Sequence, residues 1–323
     1  MKQQLLILCS ALLMLSILSA GAHAKERVNV VYASVSALFL GCWIAKDAGY
    51  FEREGLDINL VMIQSATTAI QAMLAGEAPI VLAGGEPIVE TVLKGGDAVY
   101  IGGISIVPAV HFMAMPEIRT VQDLRGKPVG VTRFGASSDF AIRQVLRRNG
   151  LEPIKDVPIL QIAGGHRGMA TALLSRSIFA ATIAPPNSLR AEKGGARVLL
   201  DMSKSGIYFP YSTIASSRAF LKNNRPAALG FMKAYSEGVK RMNSDKPYTV
   251  GVIRKYMREE DPEILETMYK YGVEFIARVP EPNKEGIIEV LRQSTDPKAK
   301  TTPPENFIDD QLVRELVQKG AYR

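Results

Sequence analysis

From Val28 onward the chain alternates two periods of hydrophobic and polar positions. Four short apolar runs, VNVVYA, LDINLVMI, PIVLAG and AVYIGGIS, read as strands. Between them, residues 37–49, TTAIQAMLAG and EPIVETVLKGG repeat apolar positions at helical spacing. Gly49, Gly76 and Gly95 close these helices as C-terminal caps. Strands separated by helices of this length predict a parallel sheet covered on both faces.

After residues 106–108 the same order restarts. AVHFMAM, KPVGVTRF, VPILQIA, IFAATIAP and ARVLLDM read as strands. VQDLRG reads as a short turn of helix, and longer helices are expected over residues 138–148, over RGMATALLS and near NSLRAEKGG. YSTIASS leads back as a strand, and from Arg225 the pattern is helical to the end. The expectation is an α/β protein of two lobes, each a mostly parallel sheet flanked by helices, joined by extended crossings at 105–109 and 211–216. Lobe 1 takes residues 25–107 and 214–323 with the C-terminal helices, and lobe 2 takes residues 108–213.

The first residues obey a different rule. Lys2 precedes an apolar run at 5–20, too short for a bilayer span of about 20 residues, and Ala22-His23-Ala24 offers the small-x-small pattern of signal peptidase. The expectation is export to the periplasm, cleavage after Ala24 and a soluble mature chain. Cys9 lies inside the run rather than after it, which argues against a lipid anchor.

Composition changes little. With 47% hydrophobic and 22% charged residues among 323, the chain has the make-up of a globular protein. The net charge of +7 is scattered, its densest cluster being Arg143, Arg147 and Arg148 on one helix face, so nucleic acid is not expected as a partner. Cleavage leaves Cys42 as a single buried thiol and His111 and His166 far apart, a set without metal-ligand spacing. Nucleotide-binding glycine motifs are missing too, and no cofactor is expected.

The chemistry is expected in the turns. In TRFGASSDF a basic residue, a glycine and two serines precede a helix. The stretch 135–139 resembles a nucleophile elbow, which would make Ser137 the nucleophile of a periplasmic hydrolase, but Asp139 stands where the elbow needs glycine. As a plain helix start, Ser137 or Ser138 is the cap and Asp139 suits the positive end of the dipole. As a ligand turn, it offers backbone N–H groups to a polar solute, with Gly135 allowing close approach. Comparable turns follow other strands: Ser34 to Ser36, Gln64 to Thr67, Gly84 to Glu86, and Gly164 to Arg167. In parallel sheets such turns lie at the carboxyl ends of strands, where ligands bind. A cleft between the lobes follows.

Three stretches, AKDAGYFEREGLDINLV at 45–61, AGGEP at 83–87 and DLRGKPVGVTRFGASSDFAIRQVLRRNGL at 123–151, carry a resemblance. The chain resembles the periplasmic solute-binding proteins of ABC importers for nitrate, sulfonates, taurine and thiamine-pyrimidine precursors. That resemblance implies a two-lobed type II binding-protein fold with a two-strand hinge, closing as a monomer on a solute and delivering it to an ABC permease with its ATPase. It implies a ligand shell of Ser34, Ser36, Phe39, Ser65, Thr67, Gly85 and Glu86 from lobe 1. From lobe 2 it implies Phe134, Gly135, Ser137, Ser138, Gly165 and Pro185. Presenting the solute to a signalling receptor is the remaining non-enzymatic alternative. A fungal-type pyrimidine-forming enzyme of the same family relies on a cysteine-rich segment that this chain lacks. Arg133 and Arg167 stand beside the turns and suit a sulfonate- or carboxylate-like acid, with a pyrimidine-like or amine-bearing heterocycle as the other choice.

Overall fold

The computed structural model describes residues 26–322. The export run and the cleavage point after Ala24 lie outside the described residues. Among those residues, no helix is long and apolar enough to cross a membrane.

The first sheet contains strands β1 (Glu26–Tyr32), β2 (Leu56–Met62), β3 (Ile80–Ala83) and β4 (Val99–Ser105). The second contains β5 (His111–Ala114), β6 (Val129–Val131), β7 (Ile159–Gln161), β8 (Ala180–Ile183) and β9 (Arg197–Asp201). Strand β10 (Ser212–Ser216) returns to the first sheet. The spatial orders are β2-β1-β3-β10-β4 and β7-β6-β8-β5-β9. Every residue of β3 and β4 is buried, as strands covered on both faces require.

Each sheet holds one reversed strand in its fourth place. β10 runs antiparallel to β3 and β4, and β5 antiparallel to β8 and β9. Both are the first strands met after a crossing, so each crossing ends by stitching the chain into the other sheet. The crossings also touch, because the Phe209 N–H donates to the Ile106 carbonyl at 3.1 Å. Ser212 already pairs with Ser105, so the return to the first sheet begins there.

Local chemistry refines the expected elements. The helix read over residues 37–49 is a 3-10 turn, Ala37–Phe39, followed by an α-helix, Leu40–Asp47. The Ser36 hydroxyl accepts from the Leu38 N–H at 3.3 Å and tightens that first turn. Gly49, at φ +71°, ends this helix and opens a further short one, Tyr50–Arg53.

Two apolar clusters fill the molecule. One continues from one face of the first sheet, with Val81 and Ile88, into the second lobe, with Phe112 and Val129. The other lies between the first sheet and the C-terminal helices, where Trp43, Phe51, Phe231 and Tyr235 are fully buried. Helix Arg225–Ser244 packs closely on Leu40–Asp47, since a side chain at Gly238 would meet the Gly41 carbonyl oxygen at 2.0 Å.

Candidate functional site

The parallel strands β1, β2 and β3 of one sheet, and β6, β7 and β8 of the other, end facing each other. Their turns surround a cavity of about 550 Å³. Of the residues expected at the site, Ser34, Ser36, Phe39, Ser65, Arg133, Ser137, Ser138 and Gly165 line it. Phe39 is held there by Tyr32 and Trp43, whose ring centres lie 5.9 and 6.5 Å away.

The remaining six expected residues stand behind or beside the wall, each for a visible reason. The Gly85 N–H donates to the Pro210 carbonyl at 2.8 Å, so Gly85 underpins the crossing and Gly84 takes the wall position. Thr67 lies in the first turn of helix Ala66–Leu74 with its hydroxyl buried. Pro185 is buried, and its neighbour Pro186 lines the cavity instead. The Phe134 N–H donates to Gln161 Oε1 and the Gly135 N–H to Asp139 Oδ2, each at 2.9 Å, so both donors are occupied within the lobe. A side chain at Gly135 would meet nothing within 4 Å, and its φ of +75° explains the glycine instead.

Neither serine caps the helix Ser137–Arg148, whose N-cap is Ala136. Ser138 Oγ accepts from the Thr132 N–H at 3.0 Å and folds the turn back on its strand. Asp139 does the polar work at this helix start, since its other oxygen accepts from Arg143 Nε at 2.7 Å.

Ser137 points across the cleft. Its hydroxyl donates to Glu86 Oε2 at 2.7 Å, while Glu86 itself is buried beneath the first-lobe wall. Burial pushes the Glu86 pKa up to about 8, with the Ser137 hydrogen bond opposing and Asp139 adding to the shift. A serine nucleophile needs a base, and the nearest imidazole in the cavity wall, His166, is engaged elsewhere. His166 Nδ1 accepts from the Ala184 N–H at 3.3 Å, and desolvation lowers its pKa to about 4, so the ring is neutral at pH 7.

Several wall residues escaped sequence reading. Thr182, Asn187, Arg190, Ser212 and Met257 all contribute, beside Gln64 of a turn already expected there. Met257 comes from the C-terminal helices, which fold over the cleft edge. Nearby, Arg190 of the second lobe forms an ion pair with the buried Glu259. Three lining hydroxyls, Ser65, Thr182 and Ser212, are buried without a partner. Ser65 adopts φ +95°, a conformation that non-glycine residues rarely hold. The wall contains Arg133, Arg167 and Arg190 and, among the described residues, no carboxylate.

The NMT1/THI5-like family profile matches residues 36–246. The Bacillus subtilis protein YtlA, named as a binding protein, is 21% identical over 247 residues, covering 75% of this chain and 74% of its own. The structure of the periplasmic aliphatic sulphonate binding protein SsuA from Escherichia coli superposes with a TM-score of 0.67 at 20% identity, covering 89% of this chain and 91% of that one. The desulfurization enzyme DszB shares the fold as well, with a TM-score of 0.64 at 14% identity and coverage of 91% and 100%. The two-lobed architecture is the periplasmic binding-protein fold, and that fold by itself also accommodates catalysis.

Proposed function

This chain belongs to the NMT1/THI5-like family, and on that premise we propose that it is an exported solute-binding protein of an ABC importer. It captures a small organic acid between its lobes and hands it to a membrane permease with its ATPase. One observation carries the choice of an acid: the cavity wall presents three arginines and no carboxylate. Arginine pairs with sulfonate or carboxylate oxygens in a two-pronged geometry. The partnerless hydroxyls of Ser65, Thr182 and Ser212 support a solute that also brings neutral polar atoms to the interior, because a buried hydroxyl left unpaired costs about 1–3 kcal/mol. Binding without turnover is favoured by the hydrogen bond of Ser137 to a carboxyl group rather than to an imidazole.

A thermal-shift panel of alkanesulfonates, carboxylates, pyrimidines and amines tests this reading. An acid at 100 times its Kd stabilises the folded chain by about 2.7 kcal/mol. Arg133→Ala should weaken that acid about fivefold, a modest loss because Arg133 is exposed at the cavity mouth. If pyrimidines or amines shift the melting point and no acid does, the assigned solute class is wrong. A folded, ligand-free chain indifferent to the whole panel would remove solute binding itself.

A further inference from the structure

Glu86 and Ser137 belong to different lobes, and their contact exists only while the cleft is shut. Glu86 opens helix Glu86–Leu93 after β3, and Ser137 opens helix Ser137–Arg148 after β6. The fit around the contact is tight, since a side chain on Gly84 would meet Ser137 Oγ at 1.9 Å. A first-lobe carboxyl thus sits under the second-lobe turn with only 3% of its surface exposed.

Only the Ser137 hydroxyl and its own backbone N–H favour a negative charge on Glu86, and burial outweighs both. The Ser137 hydroxyl meets one oxygen, and the other, Oε1, is buried without a partner. The groups acting on it are Ser137, its own backbone N–H and Asp139, which is itself acidic. Tyr100 and Tyr211 lie against it and feel its charge. No cation is among them. An ionised carboxylate in that position would be desolvated beside another carboxylate and close to a cavity assigned to anions.

We propose that Glu86 is the closing residue of the cleft and makes its contact with Ser137 as a neutral acid, so that closure takes up one proton. As an acid, Glu86 can donate to the Ser137 oxygen as well as accept from it. In the first case the Ser137 O–H bond turns towards the cavity that Ser137 lines. Opening the cleft returns Glu86 to water, where a carboxyl ionises near 4.5, whereas in the closed form the pKa rises to about 8. The closed form therefore binds the proton more tightly. The closed-to-open ratio is greatest below the open-state value, and it falls as pH rises between the two until it levels above about 8. The proposal rests on the cleft reading but not on the identity of the solute.

The experiment needs no solute. Spin labels on the exposed positions Lys94→Cys and Lys155→Cys, one per lobe, report the interlobe distance by pulsed electron resonance, with the buried Cys42 left unlabelled. In the otherwise unaltered chain, the closed-to-open ratio should rise by up to about tenfold per unit as pH falls from 8 to 5. Glu86→Gln, permanently neutral, should give a ratio independent of pH. Ser137→Ala should lower the closed fraction at every pH while leaving the melting temperature unchanged. A flat ratio between pH 5 and 9, a Gln variant keeping the original slope, or an Ala variant closing as well as its parent each overturns the proposal. Failure here leaves the organic-acid reading standing, and an unresponsive thermal-shift panel leaves this one standing.

Discussion

The two lobes share one strand order and turn it to different use. β1, β2, β3 and β10 in the first sheet correspond to β6, β7, β8 and β5 in the second. The turn holding Ser34 and Ser36 therefore matches the one holding Arg133 and Ser137. By the same correspondence Ser65 matches Gly164, each the N-cap of the next helix, and Glu86 matches Asn187, each the first residue of its helix. On the first lobe these turns are mostly sheltered and carry hydroxyls and one buried carboxyl, while on the second they are open and carry Arg133 and Arg167. The difference follows from what lies behind them. The C-terminal helices cover the first lobe and bury an aromatic cluster against it, but supply no comparable layer to the second. A well-backed wall can hold strained or desolvated groups in place, and an open one can present solvated charge. The first lobe supplies shape and the second supplies attraction.

The largest test of this contrast removes the backing. Phe231 is fully buried and stacks on Phe51 with ring centres 5.3 Å apart. Phe231→Ala should destabilise the chain by about 3–5 kcal/mol, read from the midpoint of urea unfolding. Because the other apolar cluster runs continuously from one lobe into the other, a single transition is expected. Two separated transitions would show that the covered lobe folds independently of the open one.

A smaller effect belongs at the seam between the lobes. Glu259 accepts from the backbone N–H groups of Glu260 at 3.0 Å and Asp261 at 3.1 Å while pairing with Arg190. Removing it leaves two N–H groups without an acceptor, so Glu259→Ala should cost about 1–3 kcal/mol. Arg190→Ala leaves those bonds intact and loses only a half-exposed ion pair, about 1 kcal/mol or less. Equal losses in chemical denaturation would mean that the pair itself, rather than the anchoring of Glu259 in the first lobe, joins the two sides.

Much of this contrast was visible in the sequence. The short apolar runs bounded by glycine located the strands, because a strand buried on both faces has little room for polar residues. The repeated order of elements gave two lobes, and the polar turns after Tyr32, Val131 and Gln161 gave a cleft. What stayed hidden depends on contacts between distant segments. The N–H groups of Phe134 and Gly135 look available until Gln161 and Asp139 are seen to occupy them. Glu86 reads as a ligand contact until the Ser137 turn is folded over it. Met257 joins the wall only because the C-terminal helices return to the cleft edge. No local pattern encodes that return.

The smallest expected effect is also the most selective. Ser65 precedes helix Ala66–Leu74 at φ +95° and ψ 125°, and its hydroxyl is buried without a partner at the cavity wall. Both features are unfavourable to folding alone, since a side chain at positive φ costs on the order of 1 kcal/mol or more and an unpaired hydroxyl adds to it. Glycine removes both at once, at the cost of a more flexible unfolded chain. Ser65→Gly should therefore raise stability by about 1 kcal/mol, a rise in Tm of about 2 °C for a chain of this size. The same change deletes a hydroxyl that a solute would satisfy, so calorimetry with the acid selected by the thermal-shift panel should show affinity falling about fivefold, the worth of one hydrogen bond. Opposite movements of stability and affinity would mark Ser65 as held in strain for binding. A variant that loses stability, or binds as tightly as its parent, would make the backbone at residue 65 an ordinary helix entry and remove the sheltered lobe's clearest claim to shaping the solute.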